Sequence, residues 1–330
     1  MMAMELSRTV TILDIGHGNA AVVNTGNGIV VIDAGPRSGL IEFLTENHLA
    51  KIDLVLLSHA DTDHIGGLVG TLASGVVKIA KVRVNSDGAK DTAMWDDLAY
   101  ELDMQQRSGA IDYSPALTTS NTGEFDFDDV RIEILAPTNY IATKSPRSHD
   151  RKGRRITSNS VSAMIRVLSH AGPVALFCGD IDQVGLDAVL EHNSDITAPT
   201  IVFPHHGGNS GSGVAPDFVR LLCAAVQPRV VVFSIGRGKF GTPREEIVQA
   251  VRSCTKARIV CTQLSENCAS VSPKASGTHL NSIYAAGRDD NKCCGGSLVI
   301  RLDAPTDLTP ALDSHLQFIQ TNAPSALCVK

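Results

Sequence analysis

The stretch S-H-A-D-T-D-H-I-G-G, residues 58–67, decides how this chain is read. It continues D-L-V-L-L-S (residues 53–58), whose unbroken apolar run predicts a strand buried on both faces. Four cation-binding side chains, His59, Asp61, Asp63 and His64, therefore fall at the C-terminal end of a buried strand, where α/β proteins place ligand sites. Two carboxylates and two imidazoles crowded on one turn are electrostatically poor without a cation between them. The alternate positions of His59 and Asp61 let them share one direction, and the adjacent Asp63 and His64 reach a second ion nearby. Gly66 and Gly67 then let the backbone turn into a helix close to the metals, expected over 68–73.

Upstream of this stretch, β-branched runs with Gly and Asn punctuation predict strands over 8–15, 20–24 and 28–33, then a helix over 40–49. Downstream, a strand over 78–84 and a helix over 92–107 are expected. The second half repeats the order. Strands are expected over 130–135, 161–168, 174–178, 200–203, 229–234, 258–262 and 297–303. Helices are expected over 184–192 and 215–226, with a third from Pro243 to Ser253 opened by its proline. This pattern predicts the α/β class: two mixed β-sheets packed face to face with helices outside, a four-layer αββα sandwich. One domain over 1–304 is expected, interrupted by a basic insert at 138–158 and a Cys-containing insert at 263–296. Residues 305–330 read as a loosely structured C-terminal tail.

The composition, 43% apolar and 19% charged over 330 residues, can bury a core and excludes a disordered chain. A formal charge of −6 argues against non-specific coating of nucleic acid but leaves room for a local basic patch. No run approaches the roughly 20 apolar residues of a membrane span, and the first residues carry no secretory pattern. With eight cysteines and no signal, reduced thiols and a cytoplasmic location are expected. Cys261, Cys268, Cys293 and Cys294 could assemble as a structural zinc site or pair as disulfides. Their C-x6-C spacing with an adjacent C-C pair fits no standard zinc motif, so ordinary buried thiols are the expectation.

Later residues join the first motif. Asp180 follows an apolar strand and a glycine, so its carboxylate emerges at a sheet edge, able to bridge two ions. His205 and His206 follow another strand, and two adjacent histidines cannot easily bind one ion from a strand end. His205 is read as the ligand and His206 as the group facing substrate or relaying protons, with the reverse order open. Lys144, Arg147, Arg151, Lys152, Arg154 and Arg155, against one Asp, form a candidate phosphate clamp that leads into the Asn159 segment. An aromatic content of 4% offers few platforms for stacking bases.

H-x-D-x-D-H-x-G-G resembles the metal-binding motif of the metallo-β-lactamase superfamily. Asp61 at its third position resembles the branch of ComEC-like competence proteins. In that branch's order follow L-D-I-G-H-G-N-A (13–20), V-I-D-A-G (31–35), S-N-S-V-S-A-M-I-R-V (158–167), L-F-C-G-D (176–180), P-H-H-G-G (204–208) and F-G-T-P (240–243). The resemblance covers roughly residues 8–262. It implies the metallo-β-lactamase fold and two divalent ions, Zn²⁺ or Mn²⁺. His59, Asp61 and Asp180 would hold the first, and Asp63, His64, His205 and a shared Asp180 the second. Asp61 or Asp63 would accept a proton from the attacking water, and His206 and Asn159 would contact the transferred group. Ser162 and Thr242 fall at further substrate positions. Three departures stand out. The Asn159 segment replaces a third-site histidine, which weakens the first ion site or shifts it towards Mn²⁺. His17 and Asn19 stand where the branch has Gln and Asp, and His17 reads as a turn or supporting residue. Thr242 replaces the histidine of a Gly-His-Pro motif.

The activity implied is that of a metal-dependent hydrolase, a phosphodiesterase or nuclease acting on nucleic acid or nucleotides. Two alternatives are a hydrolase of another ester, such as a phosphocholine ester or a lactone, and a non-catalytic binding module. The relatives carry this domain beside a membrane channel that the chain lacks, so no membrane role is implied.

Overall fold

The computed structural model describes residues 6–329 except 86, 88, 89, 194, 211–214 and 276. Strands β1 (Thr9–Ile12), β2 (Ala20–Asn24) and β3 (Ile29–Ala34) precede helix α1 (Gly39–Glu46). There follow β4 (Lys51–Ile52), β5 (Leu54–Leu57), α2 (Thr62–Ser74), β6 (Lys78–Ile79), β7 (Lys81–Val84), α3 (Ala93–Arg107) and β8 (Asp112–Ser114). The second half begins with β9 (Arg131–Ala136), α4 (Asn139–Lys144), β10 (Met164–Ser169), β11 (Gly172–Phe177), α5 (Gln183–His192), β12 (Thr200–Val202) and α6 (Ala215–Val226). It ends with β13 (Val230–Phe233), α7 (Glu245–Cys254), β14 (Arg258–Cys261), β15 (Leu298–Arg301), β16 (Leu308–Thr309) and α8 (Leu312–Asn322).

One mixed sheet runs β16-β15-β1-β2-β3-β5-β7-β8 and the other β14-β13-β12-β11-β10-β9, with a small β4-β6 pair beside them. Period-two alternation sorts their side chains into three cores. Val10, Ile32, Leu54 and Leu56 of the first sheet meet Ile165, Val167, Val202 and Val232 of the second in a central core. The intervening residues Val31, Val55 and Leu57 pack outward with Leu40 and Phe43 of α1 and Ile65 and Leu68 of α2. On the far side Leu176, Ile201 and Val231 pack with Leu186 of α5, Leu222 of α6 and Val248 of α7. Helix, sheet, sheet, helix: a four-layer αββα sandwich of two mixed sheets, as expected. Each residue of β5 is at most 1% exposed, and burying such a side chain contributes about 1.5–3 kcal/mol. That is why this run can occupy only the sheet interior, parallel to both β3 and β7.

The parallel strands fix where the chemistry sits. β3 and β5 in one sheet, and β11, β12 and β13 in the other, end at a common edge that the Ala163 N–H···O=C Ser58 hydrogen bond joins. Asp33, His59, Asp180 and the His205–His206 pair all stand at or just beyond those ends.

Four expectations need correction. The motif does not form a turn before the helix: α2 begins at Thr62, with Asp61 as its N-cap and Asp63 and His64 in its first turn. Gly67 is not a hinge, since a Cβ there would stand 2.4 Å from the Gly35 carbonyl oxygen; the missing side chain lets α2 pack against the end of β3. The residues after Asp303 are ordered as β16 and α8, whose Phe318 and Ile319, followed by Ala323, Ala326 and Leu327, are part of the core outside the second sheet. The insert at 138–158 is not a plain loop. It contains α4 and a His149–Arg155 bridge. The described residues of 263–296 form no helix or strand and are tied down by one buried carboxylate. Asp14 accepts from Gly16 N–H (3.0 Å), Gly287 N–H (3.0 Å), Gln263 Nε2 (2.9 Å) and Cys293 Sγ (3.4 Å). Among the described residues, no helix is long and apolar enough to cross a membrane.

Candidate metal centre

The edge gathers five imidazoles around two carboxylates. His59 Nε2 lies 3.7 Å from Asp180 Oδ2, and His64 Nε2 lies 3.6 Å from Asp180 Oδ1. His206 Nε2 lies 3.2 Å from Asp63 Oδ2 and 4.0 Å from Asp180 Oδ1, while His17 Nε2 lies 3.5 Å from Asp63 Oδ2. His205 Nδ1 lies 3.6 Å from Asp180 Oδ2, and its backbone N–H donates to Asp180 Oδ1 at 3.1 Å. His205 and His206 both take left-handed backbone angles, φ 54° and 55°, which turns their side chains to different parts of the site. A strand could not present both.

Among the described residues, two groups of three are close enough to hold an ion, each with donor atoms within 4.8 Å of one another: His59 with His64 and Asp180, and His17 with Asp63 and His206. The fit is chemical as well as spatial. The Nε2 atoms of His59, His64 and His206 are buried and have no hydrogen-bond partner. Metal–ligand bonds of about 2.0–2.2 Å put two donors of one ion roughly 3–4 Å apart, which matches these separations. The opposite ring nitrogens are held from behind. His64 Nδ1 bonds Asp33 Oδ2 (2.8 Å), His206 Nδ1 bonds the Ser234 carbonyl (2.7 Å), and His59 Nδ1 faces Ser58 Oγ (3.0 Å) and Ser162 Oγ (3.4 Å). Partners on one nitrogen fix the tautomer and aim the other's lone pair, an arrangement that ligand histidines need.

Protonation follows the same geometry. Burial, together with the neighbouring His206, lowers His17 to about 4. Burial and the adjacent His64 likewise lower His59 to about 4, so both are neutral at pH 7. Burial also opposes charge on His64, but Asp33 and Asp180 outweigh it and raise its pKa well above the usual value. Asp180 is held well below the carboxylate range because His205 and His64 outweigh its burial. For Asp63, the close His206 imidazole and His64 do the same.

The donors are grouped differently from the sequence expectation. His17 and His206 stand in the second group, and His205 lies beside Asp180 outside both. Asp61 also lies outside both groups, 3.9 Å from His59 Nε2 through Oδ2, with Oδ1 in an ion pair with Lys90. Lys90 was invisible in the sequence, since nothing local marks it. Asp33 was legible only as part of V-I-D-A-G.

Ser162 and Thr242, expected on the substrate, are buried at 0% and 6% exposure. Ser162 Oγ accepts from the Asp180 N–H at 3.0 Å, so it supports the site from behind; Thr242 Oγ1 donates to the Lys239 carbonyl. Asn159 opens a short 3-10 turn (Asn159–Val161). Over Asp61, Asp63 and His17 opens a cleft of about 620 Å³ whose cations are Arg37, Arg237, Lys239 and Lys292. None of the six basic residues of the 144–155 run lines it. Arg154 is paired with Asp150 and Asp187, Lys152 with Glu191, and Arg151 lies over the Tyr140 ring. Arg237 is spoken for as well, its guanidinium donating to the Leu264, Ala269 and Ser270 carbonyls. The eight cysteines are free thiols. Cys293 turns to Asp14 and Cys294 to His315 Nε2 (3.1 Å), and neither donor group includes a cysteine.

Residues 13–139 match the model of a family described as the metallo-beta-lactamase superfamily. Competence protein ComA of Neisseria gonorrhoeae is 26% identical over 258 residues, covering 76% of this chain and 30% of its own length. ComE operon protein 3 of Bacillus subtilis (strain 168) is 21% identical over 267 residues, covering 74% and 30% respectively. The chain thus spans about 30% of the length of these relatives. Among solved structures, the metallo-beta-lactamase fold protein YhfI from Bacillus subtilis aligns with a TM-score of 0.48 at 11% identity, over 77% of this chain and 96% of that one.

Proposed function

We propose that this chain, whose residues 13–139 match the model of the metallo-beta-lactamase superfamily, is a metal-dependent phosphodiesterase acting on nucleic acid or a nucleotide. One observation carries this reading: buried, unpartnered imidazole nitrogens converge on Asp180 and Asp63, and Asp63 with Asp61 and His17 lines a cleft that Arg37, Lys239 and Lys292 also line. His59, His64 and Asp180 would hold one divalent ion of the zinc or manganese class, and His17, Asp63 and His206 the other. When bound, such ions acidify water and stabilise charge on a phosphoryl oxygen.

The chain's own residues do the rest. Asp33, Ser58 and the Ser234 carbonyl keep the imidazoles aimed. Asp61 is the carboxylate left outside both donor groups, at the mouth of the site and paired with Lys90. That position suits it to accept the proton of the attacking water. Arg37 and Lys239 on the rim, with Lys292 once a phosphate displaces its 2.6 Å partner Asp290, would hold the phosphates beside the scissile one, a preference for anions that a neutral lactone would not use.

The test is hydrolysis by metal-stripped protein resupplied with Mn²⁺ or Zn²⁺, on single-stranded DNA, RNA, bis-p-nitrophenyl phosphate and a lactone. Metal-dependent cleavage of the phosphodiesters, lost in Asp63→Ala, is expected. Lys239→Ala and Lys292→Ala should raise KM for oligonucleotides several-fold. Turnover of the lactone alone would replace this reading with that of a non-phosphate esterase.

A further inference from the structure

We infer that Phe240 is a stacking platform for one unpaired nucleobase, which makes single-stranded nucleic acid the substrate class of the cleft; the inference rests on the phosphodiesterase reading. Phe240 lines the cleft and is 77% exposed, whereas the other phenylalanines are buried or partly buried. An apolar ring left in water is unfavourable unless something covers it. Its backbone is left-handed at φ 52°, a conformation uncommon for a bulky side chain, between Gly238 (φ 75°) and Gly241 (φ 60°). The segment thus leaves the ring exposed in the cleft.

Its position matters more than its exposure. The Phe240 ring centroid is 4.7 Å from that of His17, and His17 belongs to the second donor group, 3.5 Å from Asp63. A base lying on Phe240 would therefore be one ring away from the atoms expected to act on its phosphodiester. Lys239 precedes it in the chain and Arg37 lines the same cleft, so a phosphate of that nucleotide has cations within the cleft, while Lys292 is paired with Asp290 at 2.6 Å. A paired base keeps its face inside the duplex stack, so this platform favours unpaired strands regardless of sequence. One ring suits the recognition of one nucleotide at the cleavage point. It does not suit the coating of long strands, and that agrees with the low aromatic content and the net negative charge.

The experiment uses the full chain reconstituted with Mn²⁺ or Zn²⁺. It compares a short oligothymidylate, an oligouridylate, a strand of the same length made of abasic sites, and a blunt duplex. Stacking of one base predicts that kcat/KM on the base-carrying strands exceeds that on the abasic strand by about tenfold. In Phe240→Ala this ratio should collapse towards one, and in Phe240→Trp it should persist. Tyr100→Ala removes another well-exposed aromatic (67%) that does not line the cleft, and should keep the wild-type ratio. An unchanged ratio in Phe240→Ala, or a duplex cut as fast as the single strands, overturns the inference while leaving the phosphodiesterase reading intact. If the wild-type enzyme cleaves neither base-carrying nor abasic strands, both fall together. The DNA and RNA arms identify which strand is preferred.

Discussion

Replacing Asp33 by Asn tests the centre without touching any donor atom. Asp33 is 2% exposed and accepts three hydrogen bonds: from Ser58 N–H at 2.7 Å on Oδ1, and from Ser58 Oγ (2.9 Å) and His64 Nδ1 (2.8 Å) on Oδ2. Its φ of 57° is left-handed, which Asn tolerates as well as Asp does, so the backbone should stay in place. An amide has only one oxygen, and the Ser58 N–H claims it. The NH₂ group then faces His64 Nδ1, which must become an acceptor. The imidazole proton moves to Nε2, the atom that should present a lone pair to the ion. Loss of a comparable supporting partner costs about 10–100-fold in metal affinity, or roughly 1.4–2.7 kcal/mol. The assay is competition for Zn²⁺ between metal-stripped protein and a chelating dye at pH 7. Proton release adds a second readout. In the native centre His64 is protonated before the ion arrives, because Asp33 and Asp180 raise its pKa, so binding expels a proton. The variant should expel fewer. Unchanged affinity and proton release in a variant with native circular dichroism would refute the role given to Asp33.

Two further outcomes are expected. In Gly67→Ala the new methyl group would meet the Gly35 carbonyl oxygen at 2.4 Å and the Ala34 carbonyl oxygen at 3.2 Å. The resulting displacement of α2 should cost about 1–3 kcal/mol in urea unfolding and weaken Zn²⁺ binding through Asp63 and His64; a more stable variant would show that the contact relaxes freely. In metal-free protein, His17 and His59 titrate near 4 when folded and near 6.5 when unfolded. The unfolded chain therefore takes up protons first, and their contribution to stability is lost as pH falls from 6.5 to 4. His64 is raised, so its contribution is complete below 6.5 and is lost as pH rises above it. Melting temperature should then peak near pH 6.5, and a flat profile between 4 and 6.5 would contradict the burial of these rings.

Much of the fold was legible because its signals are local. The apolar run of β5 admits only a sheet interior, and the cluster of His and Asp behind it admits little but a cation site. What was missed depends on distance. Arg37, Lys239 and Lys292 are scattered over the sequence and meet only in the cleft, whereas the cations at 144–155 stand together in sequence yet line none of it. Local charge density is a poor guide to spatial convergence when carboxylates such as Asp187 and Glu191 on α5 are waiting to neutralise it. The Gly66–Gly67 pair reads as a turn because glycine carries two meanings, freedom and closeness. Here closeness holds, and only the packed structure distinguishes them. Helix α8 hides because L-D-S-H-L-Q-F-I-Q-T-N offers few apolar residues. Phe318 and Ile319 anchor it on a core that the sequence does not show.

The buried carboxylate of Asp14 joins two parts of the molecule that the chain separates by some 270 residues. On one side it fixes Gly16, next to His17; on the other it fixes Gly287 and Cys293, which flank the Lys292 wall of the cleft. The loop that offers an ion its imidazole and the wall that would greet a phosphate thus share a single anchor. Reciprocity sets the condition on any coupling through that anchor: if a ligand on the wall tightens the hold on an ion at His17, the ion must tighten the hold on that ligand by the same factor.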